Sequence, residues 1–290
     1  MGRKVCAILL TLLFILSSGC TVSPPEGTDT PVLSTQIPTT SSTQPPTQPP
    51  TELPTQPPTE TPTETPTEAP TEPPTEAPTE AKILVVIDPG HQAKGNYDKE
   101  PVGPGASEMK AKVSSGTQGV VTRLEEYKLT LALALKLEQE LLARGYEVLL
   151  TRRTHDVDIS NAQRAQMANE AKADAFIRIH GNAVDDPNVH GALTMCQTKK
   201  NPYNGELYQQ SRALSEAVLD GLVASAQCRK RSILESDTMS GINWCKVPTT
   251  IVEAGFMSNP QEDQLMSTEE YQNKLAVGMA NGIDAYFGRN

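Results

Sequence analysis

The chain has 290 residues, 24 prolines and a formal net charge of −10, and neither proline nor charge is spread evenly. Residues 21–80 hold 17 of the prolines and nine acidic residues with no Lys or Arg, whereas residues 81–290 carry 23 basic against 26 acidic residues. A near-neutral remainder of about 210 residues excludes a general nucleic-acid binder, which needs a basic face, and excludes a multi-domain globular or multi-span membrane protein.

Arg3 and Lys4 give a short positive start, and Val5 to Leu16 are almost wholly apolar before Ser17, Ser18 and Gly19. This is the three-part pattern of a secretory signal peptide over residues 1–20, with an apolar run too short for a comfortable membrane span. The stretch ends LSSGC and resembles a bacterial lipobox, in which the Cys is acylated and becomes the mature N-terminus. Leu16 lies one place further from Cys20 than the commonest pattern has it. Lipidation of Cys20 is the expectation, with cleavage and release or an uncleaved anchor as alternatives. In each case the protein works outside the cytoplasm.

Residues 21–80 form a linker in which the unit P-T-E/Q-x repeats from Thr43 onward. Few apolar residues are available to offset the entropy of ordering a core, so a disordered stalk is expected. Extended as polyproline II at ~3.1 Å per residue, it would reach on the order of 190 Å.

Residues 81–290 read as one domain. KILVVID (82–88) is a continuous apolar run ended by Pro89-Gly90, the pattern of a buried strand. Residues 92–124 are rich in Gly, Ser and Lys without a period, and a loop that long is usually functional, as a substrate rim or a lid. Tyr127–Ala143 is dense in Leu and helix formers and closes at Arg144-Gly145. YEVLLTR (146–152) reads as a strand, Ser160 as the N-cap of a helix through Ala171, AFIRI (175–179) and GALTMC (191–196) as strands. Glu206–Ser225 is helical, VPTTIVE (247–253) a strand, and Thr268–Phe287 a closing helix. The alternation predicts an α/β fold with a mixed, mostly parallel sheet of about six strands flanked by helices.

The chemistry collects at strand ends. His91 and His180 directly follow the two clearest buried strands, in VVIDPGHQ and FIRIHGN, and Glu253 ends VPTTIVE. In open α/β sheets ligands bind beyond the carboxyl ends of the strands. Glu125-Glu126, opening the long helix, supply a further carboxylate. Two imidazoles and a carboxylate make a His₂Glu set, a composition of catalytic zinc with one position left for water. A second carboxylate off the metal can then move the proton, a role that suits Glu253. The sequence has no HExxH helix, which excludes a thermolysin-type zincin.

At these residues the chain resembles the zinc N-acetylmuramoyl-L-alanine amidases of the type-3 family, over about 81–288. VVIDPGH resembles the motif of the first zinc His, His91. EYKLTLALALKL resembles the segment opened by the zinc Glu, placing it at Glu126, with Glu125 the off-register alternative. IRIHGNA resembles the second zinc His motif, His180, and IVEAGFMSN the segment of the catalytic Glu, Glu253. Gly181 departs from the commoner Ala, and Gln92-Ala93 from a Gly pair. The resemblance implies one Zn²⁺ on His91, Glu126 and His180, and a peptidoglycan substrate cut between N-acetylmuramic acid and L-alanine of the stem peptide. The rival readings are a zinc peptidase acting within the stem and a non-catalytic wall-binding module. No wall-binding repeat is visible, so targeting is expected from the tether or from an activator or partner outside this chain.

Asn182 either hydrogen-bonds substrate or holds its turn. Arg164 and Asn169 are expected to brace the sheet and its loops, and Gly90 and Gly255 to permit tight turns. Trp244 and Tyr203 either stack on sugar or pack locally. His155 and His190 read as turn or surface residues. An exported context permits a Cys228–Cys245 disulfide with Cys196 left over, the alternative being three free thiols.

Overall fold

The computed structural model describes residues 82–289. The segment expected to be a signal peptide, Cys20 and the Pro/Thr-rich stretch lie outside the described residues. The domain is built on a six-stranded sheet. Its strands are β1 (Leu84–Pro89), β4 (Glu147–Leu150), β5 (Ala175–Asn182), β6 (Ala192–Cys196), β7 (Lys230–Glu235) and β8 (Thr249–Phe256). They lie in the order β4-β1-β5-β8-β6-β7. All neighbours pair in parallel except β6 and β8, which are antiparallel. This is the mixed, mostly parallel sheet that the alternation predicts.

β1, β5 and β8 are central and buried on both faces, which is why each reads as a near-continuous apolar run. Alternate residues go to opposite faces. Ile177 and Ile179 of β5 and Val252 and Ala254 of β8 join a large core with the helices α1 (Glu126–Ala143), α3 (Tyr208–Ala226) and α6 (Glu269–Tyr286). Within α1, Leu129, Leu133, Leu137 and Leu141 recur at the four-residue spacing that keeps one stripe on the sheet. Gly145, at φ 82°, takes the left-handed position just past the end of α1. Phe176 and Val86 face the other way, into a smaller cluster with α2 (Asn161–Glu170). The Ser160 side chain accepts from Gln163 N and the Gln163 side chain accepts from Ser160 N, a full capping box for α2.

The segment 92–124 is not one long loop. It contains the antiparallel hairpin of β2 (Asn96–Pro101) and β3 (Met109–Val113), with a bulge near Asn96. The hairpin's strand residues are mostly polar and only Glu100 and Val113 among them are buried, so no alternation marks it. β7 was equally silent, because KRSILE is an exposed edge strand. β5 and β8 each run three residues further than the apolar runs do. Two short helices, α4 (Ser240–Asn243) and α5 (Pro260–Met266), and a 3-10 turn at Gly205–Leu207 complete the elements. The Asn259 side chain caps α5 by accepting from Gln261 N and Glu262 N. Cys196, Cys228 and Cys245 are all free thiols, so the Cys228–Cys245 bridge does not form. Burial pushes the Cys196 and Cys245 thiols up to about 11, which keeps both protonated and poor as nucleophiles. Among the described residues no helix is long and apolar enough to cross a membrane.

Candidate metal centre and active site

The parallel strands β1, β5 and β8 end on one edge of the sheet, and α1 starts above it. This brings together four residues that are far apart in sequence. His91 Nε2 lies 3.0 Å and His180 Nδ1 3.1 Å from the same oxygen, Glu126 Oε1. The two imidazole nitrogens are 3.1 Å apart, with the rings edge to face at 85°. Glu125 turns away, half exposed, and pairs with Lys128 at 2.9 Å.

The donor set fits a metal cation. His91 Nδ1 faces the Ser114 carbonyl at 3.0 Å and must donate to it, so Nε2 offers a lone pair. In the neutral imidazole that lone pair and Glu126 Oε1 face each other, a gap that a cation would fill, whereas a protonated Nε2 would donate to Oε1 itself. Glu126 is itself fixed: Oε1 accepts from Gly181 N at 3.1 Å and Oε2 from Thr117 N at 2.9 Å. Burial raises the Glu126 carboxyl, but the His180 and His91 contacts outweigh it and hold the group well below the usual carboxylate range. Burial pushes the His180 imidazole below its ordinary value, against the pull of Glu126, which favours the form that carries a lone pair.

The turn carrying His91 is strained and heavily braced. His91 has φ 62°, the left-handed region that non-glycine residues seldom occupy. Three successive carbonyls hold it there. Arg152 donates to Pro89 O and Gly90 O, both at 3.0 Å, and Arg164 to Pro89 O at 2.9 Å and His91 O at 3.0 Å. Arg164 is fully buried and pairs with Asp88 at 2.8 Å. Arg164 thus braces the turn, as its position predicts, while Arg152 and Asp88 are structural partners that the sequence did not single out. Gly90 matters for space rather than for backbone freedom: a Cβ there would overlap the His180 ring. Gly255 likewise makes room, for Met266 Sδ at 3.0 Å from a Cβ.

Glu253 pairs with His180 in the register of β5 and β8. It lines a cavity of about 210 Å³ together with His91, His180, Arg178 and Ser240. Its Oε2 is buried and has no hydrogen-bond partner among the described residues. Burial, and then the nearby charge of Glu126, push its carboxyl up to about 8. Arg178 does not pair with it; that guanidinium goes to Asp88.

The remaining candidates stand outside this cavity. Asn182 accepts from Ala183 N at 2.8 Å through its side chain, and from Met257 N at 2.7 Å through its carbonyl. His155 stacks edge-on against Tyr127, and exposed His190 contacts Asn188 O. Asn169 ties Trp244 O and Lys246 N. Trp244 Nε1 donates to Pro101 O, and the Tyr203 ring lies against Gly103.

Fold and site together define a class: a mixed α/β domain with a His₂Glu cluster of metal-ligand composition and a free carboxylate beside it. The N-acetylmuramoyl-L-alanine amidase family matches residues 85–285, and the chain belongs to that family. Protein YqiI of Bacillus subtilis is 31% identical over 203 residues, covering 70% of this chain and 84% of that protein. N-acetylmuramoyl-L-alanine amidase AmiC of Neisseria meningitidis is 25% identical, over 70% of this chain and 52% of its own length. Among solved structures, the apo form of the amidase Ami1 from Mycobacterium abscessus superposes with a TM-score of 0.64 at 26% identity, covering 71% of this chain and 99% of that one.

Proposed function

We propose that the domain is a zinc hydrolase that cuts the amide between the lactyl group of N-acetylmuramic acid and L-alanine of the stem peptide. The family supports the bond, and the His91–Glu126–His180 cluster supports the metal, since two imidazoles and a carboxylate suit zinc. The observation that carries the reading is Glu253, a carboxylate with an unpartnered buried oxygen beside that cluster. When bound, zinc supplies Lewis acidity, which polarises the amide carbonyl and makes a water acidic.

Glu253 acts twice. At Oε2 it takes the proton from the attacking water, and it then returns that proton to the leaving nitrogen as the C–N bond breaks. A carboxyl raised towards neutrality is suited to both steps. The products are a lactyl carboxylate on the sugar and a stem peptide with a free amine. Ser114 and Gly181 keep the ligands in place through the contacts above, and the arginine-braced turn keeps His91 aimed.

In this reading residues 1–20 export the protein, acylated Cys20 holds it at the outer face of the membrane, and residues 21–80 tether the domain within reach of the wall. Mass spectrometry of peptidoglycan incubated with the protein tests the activity. Free stem peptides beginning at L-alanine, lost on chelation and restored by zinc, are the expected products. Sugars that keep part of the stem would make it a peptidase, and an unchanged polymer a binding module.

A further inference from the structure

The side of the domain around α2 carries a groove that the mechanism above does not use. α2 forms one wall, and Asn96, Glu100, Pro101 and Lys112 of the β2–β3 hairpin form the other. Three adjoining hollows of about 430, 360 and 290 Å³ make it up, each larger than the cavity beside the metal-ligand cluster. Gln166 lines all three and Trp244 lines the first two. The groove begins where the active-site cavity ends. Val113 and Asn161 line the cavity, and their chain neighbours Lys112 and Ala162 line the groove. Asn161 Nδ2 donates to Lys112 O at 2.8 Å and forms the sill between the two. From Asn161 to Glu170, α2 runs beside the groove for about 14 Å.

Trp244 is the only tryptophan of the chain. Its Nε1 donates to Pro101 O at 2.9 Å, its carbonyl accepts from Asn169 Nδ2 at 2.9 Å, and it packs against the cluster of Val86 and Phe176. The indole N–H is thus spent inside the protein, and the part of this half-buried residue that faces the groove is apolar ring. Among the described residues no other aromatic ring and no cation stacks on it. An indole held rigid and left partly in water is a surface that a ligand gains by covering.

The polar groups around the ring are free amides without net charge. Gln163 uses its oxygen on Ser160 N, whereas its Nε2 and the whole amide of exposed Gln166 make no hydrogen bond among the described residues. Glu100 is spent on Ala162 N, and Asp158 on Asn96 and Gln92. Lys112 pairs with Asp98 at 3.4 Å, and Lys246 and Glu170 offset each other in the largest of the first two hollows' shared lining. An aromatic face with free amides and balanced charge suits a neutral polyhydroxy ligand that bears acetamides. Such a ligand brings apolar C–H faces to the ring and both donors and acceptors to the amides. A polyanion needs a basic track, which is missing from this lining. The chain's own residues 21–80, with nine acidic residues and no basic one, would meet Glu100, Asp158 and Glu170 here.

We propose that this groove is a second binding site, for a neutral N-acetylhexosamine glycan, whose sugar rings lie on Trp244 and hydrogen-bond Gln166. The site goes beyond the amidase reading, since it uses neither the metal-ligand cluster nor Glu253. Its position past the Lys112–Asn161 sill lets a strand held there continue into the catalytic cavity, so that one polymer occupies both.

The test titrates chitohexaose, a β-1,4-linked N-acetylglucosamine hexamer, into the whole purified chain after chelation. With a single tryptophan present, the emission reads the groove itself. The expected result is a saturable blue shift as sugar takes the place of water on the indole. Gln166→Ala, on the exposed side of α2, should raise the Kd by roughly 2–10-fold, the weight of one hydrogen bond. Trp244→Ala, followed by calorimetry with circular dichroism as the folding control, should abolish binding. No shift in the unaltered protein overturns the proposal, as does an unchanged Kd in Gln166→Ala. A shift produced by poly(glycerol phosphate), or by a peptide of the Pro-Thr-Glu repeat, and not by chitohexaose also overturns it, in favour of that ligand. The hexamer has no lactyl amide to cut, so failure to release stem peptides from the wall counts against the amidase reading separately.

Discussion

The Asp88 carboxylate and the Arg164 guanidinium meet at 2.8 Å, and neither side chain is open to solvent. Asp88 stands on β1 three residues before His91, and Arg164 also grips the carbonyls on either side of Gly90. The pair therefore joins the folding core to the first metal-ligand candidate. Removing Arg164 leaves Asp88 to Arg178 and Thr151 and takes a buried donor from the Pro89 and His91 carbonyls. Arg164→Met is expected to lower stability by about 1–3 kcal/mol, the cost of leaving buried acceptors short of a donor. Urea unfolding of the metal-free protein reads this directly, and a loss under about 1 kcal/mol would mean that Arg152 and Arg178 hold the turn and Asp88 without it.

The same carboxylate predicts acid sensitivity. Burial raises the Asp88 carboxyl, but Arg164 and Arg178, with a hydrogen bond from Thr151, bring it well below the usual range. Unfolded, the group titrates near ~3.9. Below that pH the unfolded chain binds the proton and the folded one does not. The contribution of Asp88 is therefore complete above about pH 5 and is lost as pH falls through ~3.9 towards the folded value. Asp88→Asn should lower stability at neutral pH and flatten the acid limb. An acid limb that keeps its wild-type slope in this variant would assign it to other groups.

Gly90 gives a prediction about the metal rather than the fold. A methyl at this position would overlap the His180 ring, while the backbone of residue 90 needs no positive φ. Gly90→Ala should therefore displace the imidazole and leave the sheet intact. Zinc affinity is expected to fall by roughly 10–100-fold, the range for disturbed orientation of a ligand. Competition against a chromophoric chelator measures it, with circular dichroism as the control for folding. Unchanged affinity would show that the ring can shift without losing its aim.

How much of this was visible in the sequence depends on burial. β1, β5 and β8 are covered on both faces, so LVVID, AFIRI and TTIV stand out as apolar runs, and the polar residues at their ends stand out with them. Glu126 over Glu125 came from the family motif that EYKLTLALALKL resembles, and the helix agrees with it, since Glu126 is buried with Leu129 and Leu133 while Glu125 lies before the first turn. The hairpin over Asn96–Val113 left no such mark, since most of its residues are polar and only partly covered, yet the Ser114 carbonyl just past its end accepts a hydrogen bond from His91 Nδ1. Asp88 sat inside the motif VVIDPGH, but its partners Thr151, Arg164 and Arg178 are 63 to 90 residues away. Pairing over that distance is set by strand order, which one sequence does not reveal.

Two carboxylates on one site should separate under substitution. Glu126 holds both imidazoles, whereas Glu253 stands apart with an unpartnered oxygen. Zinc bound to the folded state alone stabilises it by an amount that grows with the logarithm of zinc over Kd. Glu253→Gln is nearly isosteric and should keep that thermal shift while turnover falls by about 10²–10⁴-fold, the usual weight of a general base. Glu126→Gln should lose the thermal shift and the turnover together. Differential scanning fluorimetry with and without zinc, run beside release of stem peptides, resolves the two patterns. If Glu253→Gln abolished the zinc shift as Glu126→Gln does, Glu253 would be a ligand, and the proton would have to move through another group.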